Sequence, residues 1–319
     1  MTLNNGLRSA AAALTFTLLF GAAAQASAPQ QKSQAPGYYR MMLGDIEITT
    51  LSDGTFQLEA SKLLTNVTSK QLESALLRSF LKDSLETSVD AFLINTGSKL
   101  VLVDSGAGVL FGPTVGKLQA NLKAAGYRPE QIDEIYITHM HGDHIGGLLV
   151  DGKIAFPNAI VRAAQQEADF WLSKSNMDAA PKEAKDAYQA AMTMIAPYQA
   201  AGKFKPFNGD TELVPGVRAV AAPGHTAGHT VYVVESKGQK LVLWGDLMHV
   251  AAVQFPEPAT TIKFDTDSKA AAAQRKKAYA DAATQGYLVG SAHLSFPGIG
   301  HLRAEGKGYV FTPVNYAAP

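Results

Sequence analysis

The 319-residue chain contains no cysteine. That removes disulfides, thiolate nucleophiles and thiolate-held zinc together, so any metal must rest on histidine and carboxylate. An excess of either charge is also missing: Lys and Arg number 28, as do Asp and Glu, leaving a formal net charge of zero with neutral histidines. No basic stripe or acidic tail argues for nucleic acid or strong electrostatic steering, and a small, neutral or weakly charged substrate is expected. No long uninterrupted apolar run follows the N-terminal region, and without cysteine a lipoprotein anchor is excluded, so no membrane anchor is expected.

What is present begins with a targeting pattern. Arg8 supplies a weakly positive start, residues 11–19 form an apolar run too short to span a bilayer, and Ala24-Gln25-Ala26 offers a small-residue cleavage site. Residues 1–26 therefore read as a signal peptide, residues 27–36, rich in Ser, Ala, Gln and Pro, as a flexible junction, and 37–319 as one functional domain. An exported protein, periplasmic or secreted, is the expectation.

Within the domain, residues 38–58 alternate apolar and polar around Ser52-Asp53-Gly54 and read as a hairpin turning there. Residues 90–95 and 99–103 read as a second strand pair broken at Gly97, residues 116–125 as a helix closed by Gly126, and 132–138 as a strand buried on both faces. Residues 163–172 and 181–201 read as helices, with Gly202 as a stop. Strands resume at 217–221, 230–235 and 240–244, and a helix at 268–283 precedes a last buried strand at 287–291. Each half runs strands first and helices second, which predicts a mixed α/β (α+β) fold of two face-to-face sheets covered by helices.

The chemistry concentrates in Thr138-His139-Met140-His141-Gly142-Asp143-His144, at the end of the expected strand 132–138. Side chains two apart on extended backbone point the same way, so His139 and His141 can converge on one ion. Asp143 and His144, past a turn that Gly142 permits, can serve a second ion nearby. His225 and His229 in Pro223-Gly224-His225-Thr226-Ala227-Gly228-His229, Asp246 in Trp244-Gly245-Asp246, and His293 in Ser291-Ala292-His293 also follow expected strands. Any one of these alone would more often be a satisfied structural histidine or carboxylate; together with the first cluster they read as a binuclear metal site. His229 reads as a support for the His225 loop, and His301 as lying in a Gly-rich turn.

The order HxHxDH, then His, Asp and His, resembles the metallo-β-lactamase superfamily from about Tyr38 onward. The resemblance implies an αββα four-layer sandwich in which His139, His141 and His225 hold one divalent ion, Asp143, His144 and His293 hold the other, and Asp246 bridges them. Zinc suits these donors, as do Mn, Co and Fe. Lactamases that use a cysteine ligand are excluded, and those lacking a bridging Asp fit poorly with Asp246.

A closer similarity, carried by stretches such as Ala35-Pro36-Gly37-Tyr38-Tyr39-Arg40, Ala168-Asp169-Phe170-Trp171-Leu172 and His293-Leu294-Ser295-Phe296-Pro297-Gly298, is to the methyl parathion hydrolase family. That family includes organophosphate hydrolases and related lactonases or aryl esterases acting on dihydrocoumarin. Its organophosphate-hydrolysing members have Arg near Lys62-Leu63-Leu64 and Leu, Thr and Leu where this chain has His249, Ile262 and Phe264. They are also one residue longer around residues 181–188. These differences point to the lactonase or aryl esterase branch, since His249 and Phe264 would narrow a pocket toward a flat aromatic lactone. Phe111, Trp171 and Tyr188 match positions lining the family's pocket, and the resemblance also implies a homodimer.

The expected chemistry is attack on an ester carbonyl by hydroxide, formed between two ions roughly 3.5–4 Å apart in such sites, with Asp143 and Asp246 orienting the nucleophile. Weak phosphotriesterase activity is expected beside it. The competing readings are an organophosphate hydrolase, an acyl-homoserine lactonase, and a non-catalytic metal-binding protein of the same fold; glyoxalase II and tRNA-processing nucleases share the ligands but typically work inside the cell.

Overall fold

In the computed structural model, which describes Met1 and residues 28–319, alternation along the strands separates two apolar faces. Phe92 and Ile94 point one way and Ala91 and Leu93 the other; Val101 and Val103 oppose Leu102; Tyr232 and Val234 oppose Val233. One set of faces from each sheet closes into a shared core of Ile48, Ile94, Val103, Val217, Tyr232, Val234 and Leu243. The outer face of the first sheet, with Leu51, Leu93, Leu102 and Ile135, is covered by helices Leu118–Ala124 and Lys185–Ala200. The outer face of the second, with Val233, Val242, Val289 and Leu302, lies under Tyr279 and Ala282 of helix Ser268–Gln285. The four layers are thus helix, sheet, sheet, helix, across the unit Pro36–Pro319.

The first sheet orders its strands as Tyr38–Leu43, Ile46–Glu59, Ser84–Asn95, Leu100–Val103, Glu134–Tyr136 and Ile160–Arg162. The second runs Thr211–Val214, Val217–Ala221, Thr230–Ser236, Gln239–Leu243, Leu288–Gly290, Ile299–Glu305 and Gly308–Pro313. Most neighbours are antiparallel, but one end of the first sheet and the middle of the second are parallel: Leu100–Val103 with Glu134–Tyr136 and then the edge strand Ile160–Arg162, and Gln239–Leu243 with Leu288–Gly290. Parallel strands bring their carboxyl ends to one edge. Asp104 follows Val103, His139 lies three residues after Tyr136, Asp246 three after Leu243, and His293 three after Gly290. The topology thereby gathers residues far apart in sequence.

Three expectations are corrected. The first hairpin turns at Gly44-Asp45, not at Ser52-Asp53-Gly54, which forms a register shift inside the long strand Ile46–Glu59. Asp53 is buried there because its carboxylate accepts backbone N–H bonds from Ala107, Gly116 and Leu118 at 2.9–3.0 Å; turn composition marked a loop anchor instead of a turn. The strand near 287–291 is not the last, since Ile299–Glu305 and Gly308–Pro313 extend the sheet as a hairpin. His301 accordingly sits exposed on a strand, not in a turn. Helix Lys174–Ala179 escaped the sequence reading because it is a single short stretch capped by Ser173. The signal-peptide reading, with its cleavage site, falls outside the described residues apart from Met1. Among the described residues no helix is long and apolar enough to cross a membrane.

Candidate metal centre

Seven of the chain's eight histidines meet at the shared sheet edge, all buried except half-buried His141. Two groups of donors form there, His139, His141, His225 and Asp246 in one, Asp143, His144, Asp246 and His293 in the other. The donor atoms within each group lie within 4.8 Å of one another. In the first, Nε2 of His139 is 3.1 Å from Nδ1 of His141 and 3.2 Å from Nε2 of His225, and the latter two are 3.0 Å apart. Asp246 belongs to both groups. Its Oδ1 lies 3.1 Å from His144 Nε2, and its Oδ2 lies 3.2 Å from His293 Nε2 and 3.4 Å from His225 Nε2.

Hydrogen bonds behind the rings decide which nitrogen faces inward. Nδ1 of His144 donates to Asp104 at 2.8 Å, Nδ1 of His225 to Asp265 at 2.9 Å, and Nδ1 of His293 to the Ser88 carbonyl at 2.8 Å. The Thr138 hydroxyl donates to Asp104, which leaves its oxygen to accept from His139 Nδ1 at 3.0 Å. Each of these rings is held as the tautomer whose Nε2 lone pair points at the cluster, the arrangement by which outer carboxylates and carbonyls orient metal-binding imidazoles.

These residues fit a pair of divalent cations. The Nε2 lone pairs of His139 and His225, both turned inward, lie 3.2 Å apart and repel unless a cation lies between them. His144 Nε2 and Asp246 Oδ1 are buried and make no aligned hydrogen bond, which is costly for polar atoms away from water. The nitrogen and carboxylate donor set suits zinc and its first-row neighbours.

The two groups differ electrostatically. Burial pulls His139 and His225 far below the ordinary imidazole range, and burial together with the neighbouring His225 takes His141 down to about 3, so all three stand as neutral donors. Burial acts the same way on His293, but Asp246 and Asp143 overcome it and push the ring up to about 10. Burial by itself would raise Asp143, yet His144 and His293 hold it below the usual carboxylate range. Protons on the second group are what an ion binding there would displace.

Two further buried groups hold the loops. Glu167 accepts from Met140 N at 2.8 Å with one oxygen and from Thr226 Oγ1 and Gly228 N, both at 2.8 Å, with the other. It thus ties the His139–His141 segment to the His225 loop, and Gly228 must lack a side chain because a Cβ there would sit 2.3 Å from Glu167 N. His229 does support this region: Nδ1 donates to the Ala222 carbonyl and Nε2 accepts from Asp246 N at 3.1 Å. Gly142 does not take a left-handed turn; a Cβ there would press on the Phe111 ring at 3.1 Å and the Leu110 side chain at 3.2 Å.

The aromatic candidates divide. Trp171 lies edge-on to His141 with centroids 5.2 Å apart, and Tyr188 packs behind it at 4.6 Å, but both are buried in the core under the first sheet, so they back the site and do not line an open pocket. Phe111, 42% exposed, rests on Phe56, which in turn meets His293 edge-on at 6.1 Å. Phe264, also 42% exposed, is 6.2 Å from His249. His249 is more intimate with the centre than expected: it stacks on His293, its Nε2 lies 3.1 Å from Asp246 Oδ2, and neither ring nitrogen has an aligned hydrogen bond. Ile262 is a correction, because it is fully buried in a cluster with Leu64, Val250 and Val253 and lies behind the rim instead of on it.

Sequence reasoning missed Asp104, Thr138, Glu167 and Asp265. Asp104 carried the same signal as Asp246, an acidic residue just after an apolar strand. Glu167 sits in an ordinary helical stretch, and Asp265 in a segment without regular pattern, so neither offered one.

Residues 85–284 match the family model described as the metallo-beta-lactamase superfamily. The chain belongs to the metallo-β-lactamase superfamily. Within the superfamily, a structure described as hydrolase AbOPH in the beta lactamase superfamily is 38% identical, with TM-score 0.85, 90% of this chain covered and 100% of that one. The structure of AidC, a dizinc quorum-quenching lactonase solved with the product N-hexanoyl-L-homoserine, is 29% identical, with TM-score 0.83 and 88% and 99% covered. An N-acyl homoserine lactonase of Bacillus cereus is 31% identical over 122 residues, 38% of this chain; the match spans 40% of that relative's length.

Proposed function

We propose that the protein is a binuclear zinc hydrolase of lactones and aryl esters with flat, apolar substituents, as in the dihydrocoumarin-hydrolysing branch of the methyl parathion hydrolase family. The observation that carries this reading is the aromatic rim around a two-part donor cluster: exposed Phe264 beside His249, and exposed Phe111 resting on Phe56, whose ring meets His293 edge-on. Such side chains offer faces on which a planar ring stacks, and they exclude bulk water.

Bound at the two groups, divalent ions would supply Lewis acidity toward a carbonyl oxygen and lower the pKa of a water to near neutrality. The chain's own part is positioning. His139, His141 and His225 would hold one ion, Asp143, His144 and His293 the other, and Asp246, which belongs to both groups, would serve both. His249, buried beside Asp246 and stacked on His293, would add an imidazole to the wall of the site. A phenolate departs without a dedicated acid, which suits the absence of any separate proton donor from the proposed roles. The likeness to AidC and to the Bacillus cereus enzyme favours acyl-homoserine lactones as a second substrate class.

The test is kcat/KM for dihydrocoumarin, N-hexanoyl-homoserine lactone and methyl parathion, each with a chelator-stripped control. Activity on all three should vanish on chelation, with dihydrocoumarin preferred over methyl parathion by more than ~10-fold; the reverse order would reject the aromatic lactone reading. Replacing His249 and Phe264 together by Leu should move the phosphotriester-to-lactone ratio up by ~10-fold, a shift of about 1.4 kcal/mol in relative barrier. An unchanged ratio would sink the role given to the rim.

A further inference from the structure

His225 stands on a loop without regular structure, yet its ring is fixed. What fixes it is the segment Thr261–Thr266, which the loop meets through several hydrogen bonds. Asp265 uses its two oxygens differently: Oδ1 accepts from His225 Nδ1 at 2.9 Å, while Oδ2 accepts from Ile262 N at 3.1 Å, and Asp265 N donates back to the Ile262 carbonyl. Thr266 N donates to the His225 carbonyl at 2.9 Å, and its hydroxyl reaches the carbonyls of Gly224 and His225 at 3.2 Å. The same segment carries Phe264 on the rim, and it is pinned on its far side by Thr261 and Ile262 pairing with Leu64 and Thr65. The Asp265 side chain is wholly buried.

We infer that Asp265 is a positioning residue that couples the hold of His225 on its ion to the placement of the Phe264 rim, so that occupancy of the rim and retention of the ion strengthen each other. The inference rests on the proposed metal centre. One carboxylate satisfies two donors that belong to different structural tasks, and only a group with two acceptor oxygens can do so. An amide cannot: whichever way Asn is turned, its NH₂ faces either the Ile262 N–H, displacing the rim, or His225 Nδ1, which then must accept and turn a protonated Nε2 toward the cluster. Coupling between sites is reciprocal, so a rim ligand should slow loss of the ion as much as the ion tightens the ligand.

The experiment compares wild type with Asp265→Asn, loaded with zinc and challenged with a chromogenic chelator, with and without N-hexanoyl-homoserine as the rim probe. Wild type should retain two ions, and the probe should slow release of one of them. Asp265→Asn should bind one ion ~10–100-fold more weakly while the other is unchanged, and the probe should no longer slow its release; KM should rise with the change in metal affinity. Unaltered release with the probe effect intact would overturn the coupling. Failure of wild type to bind two ions would instead overturn the metal-centre reading itself. If Asp265→Asn does not fold, Thr266→Val, which removes only the hydroxyl latch, should show a smaller probe effect than wild type; an equal probe effect would reject the coupling.

Discussion

Asp246→Ala should lower kcat/KM for a lactone by ~10⁴-fold and leave fewer than two ions bound per chain. A single preorganised contact is worth ~10²–10³-fold in rate, and Asp246 is shared by both donor groups, so its removal strikes both at once. The carboxylate is also the main negative charge among the rings: His144, His293, His139 and His249 all act on it. Without it, neighbouring imidazoles face one another with little to offset their repulsion. Asp246→Asn should fall between, because one oxygen remains. Metal content by elemental analysis and steady-state kinetics on the same preparation decide the matter; an Ala variant with two ions and unreduced kcat/KM would refute the shared role.

Glu167→Ala should destabilise the metal-free protein by ~4 kcal/mol, read by urea unfolding. Three buried donors, Met140 N, Thr226 Oγ1 and Gly228 N, rely on its two oxygens, and each one stranded costs ~1–3 kcal/mol. Water entering the vacated space limits the loss, which keeps the expected total below the sum. Burial raises the Glu167 carboxyl while those same donors pull it back, so the group is held by the contacts that its removal would break. Glu167→Gln preserves volume but aims an NH₂ at one donor, and should cost about half as much. A change below ~1 kcal/mol for Ala would mean that the two histidine loops stand without this strut.

Of the centre itself, much was legible in the chain. HxHxDH places three imidazoles and a carboxylate in six residues after a buried strand, and local geometry alone brings His139 and His141 together. The later His225, Asp246 and His293 were legible because each follows an apolar run, the same position relative to a strand. The supporting carboxylates were harder. Asp104 repeats the Asp246 pattern, but Asp265 has no local pattern at all, and its partner His225 lies 40 residues away.

The strand periodicities and the histidine spacing thus determined the sandwich and the ligand-bearing loops, because both depend on neighbours along the chain. Which atoms face the centre was decided only by tertiary structure. The parallel pairing of distant strands aligns their carboxyl ends. Hydrogen bonds donated by the ring Nδ1 groups to Asp104, Asp265 and the Ser88 carbonyl then select one tautomer of each ring. Packing likewise sent Ile262 into the core and His249 against Asp246, a choice between two sides of one segment that residue type alone does not make.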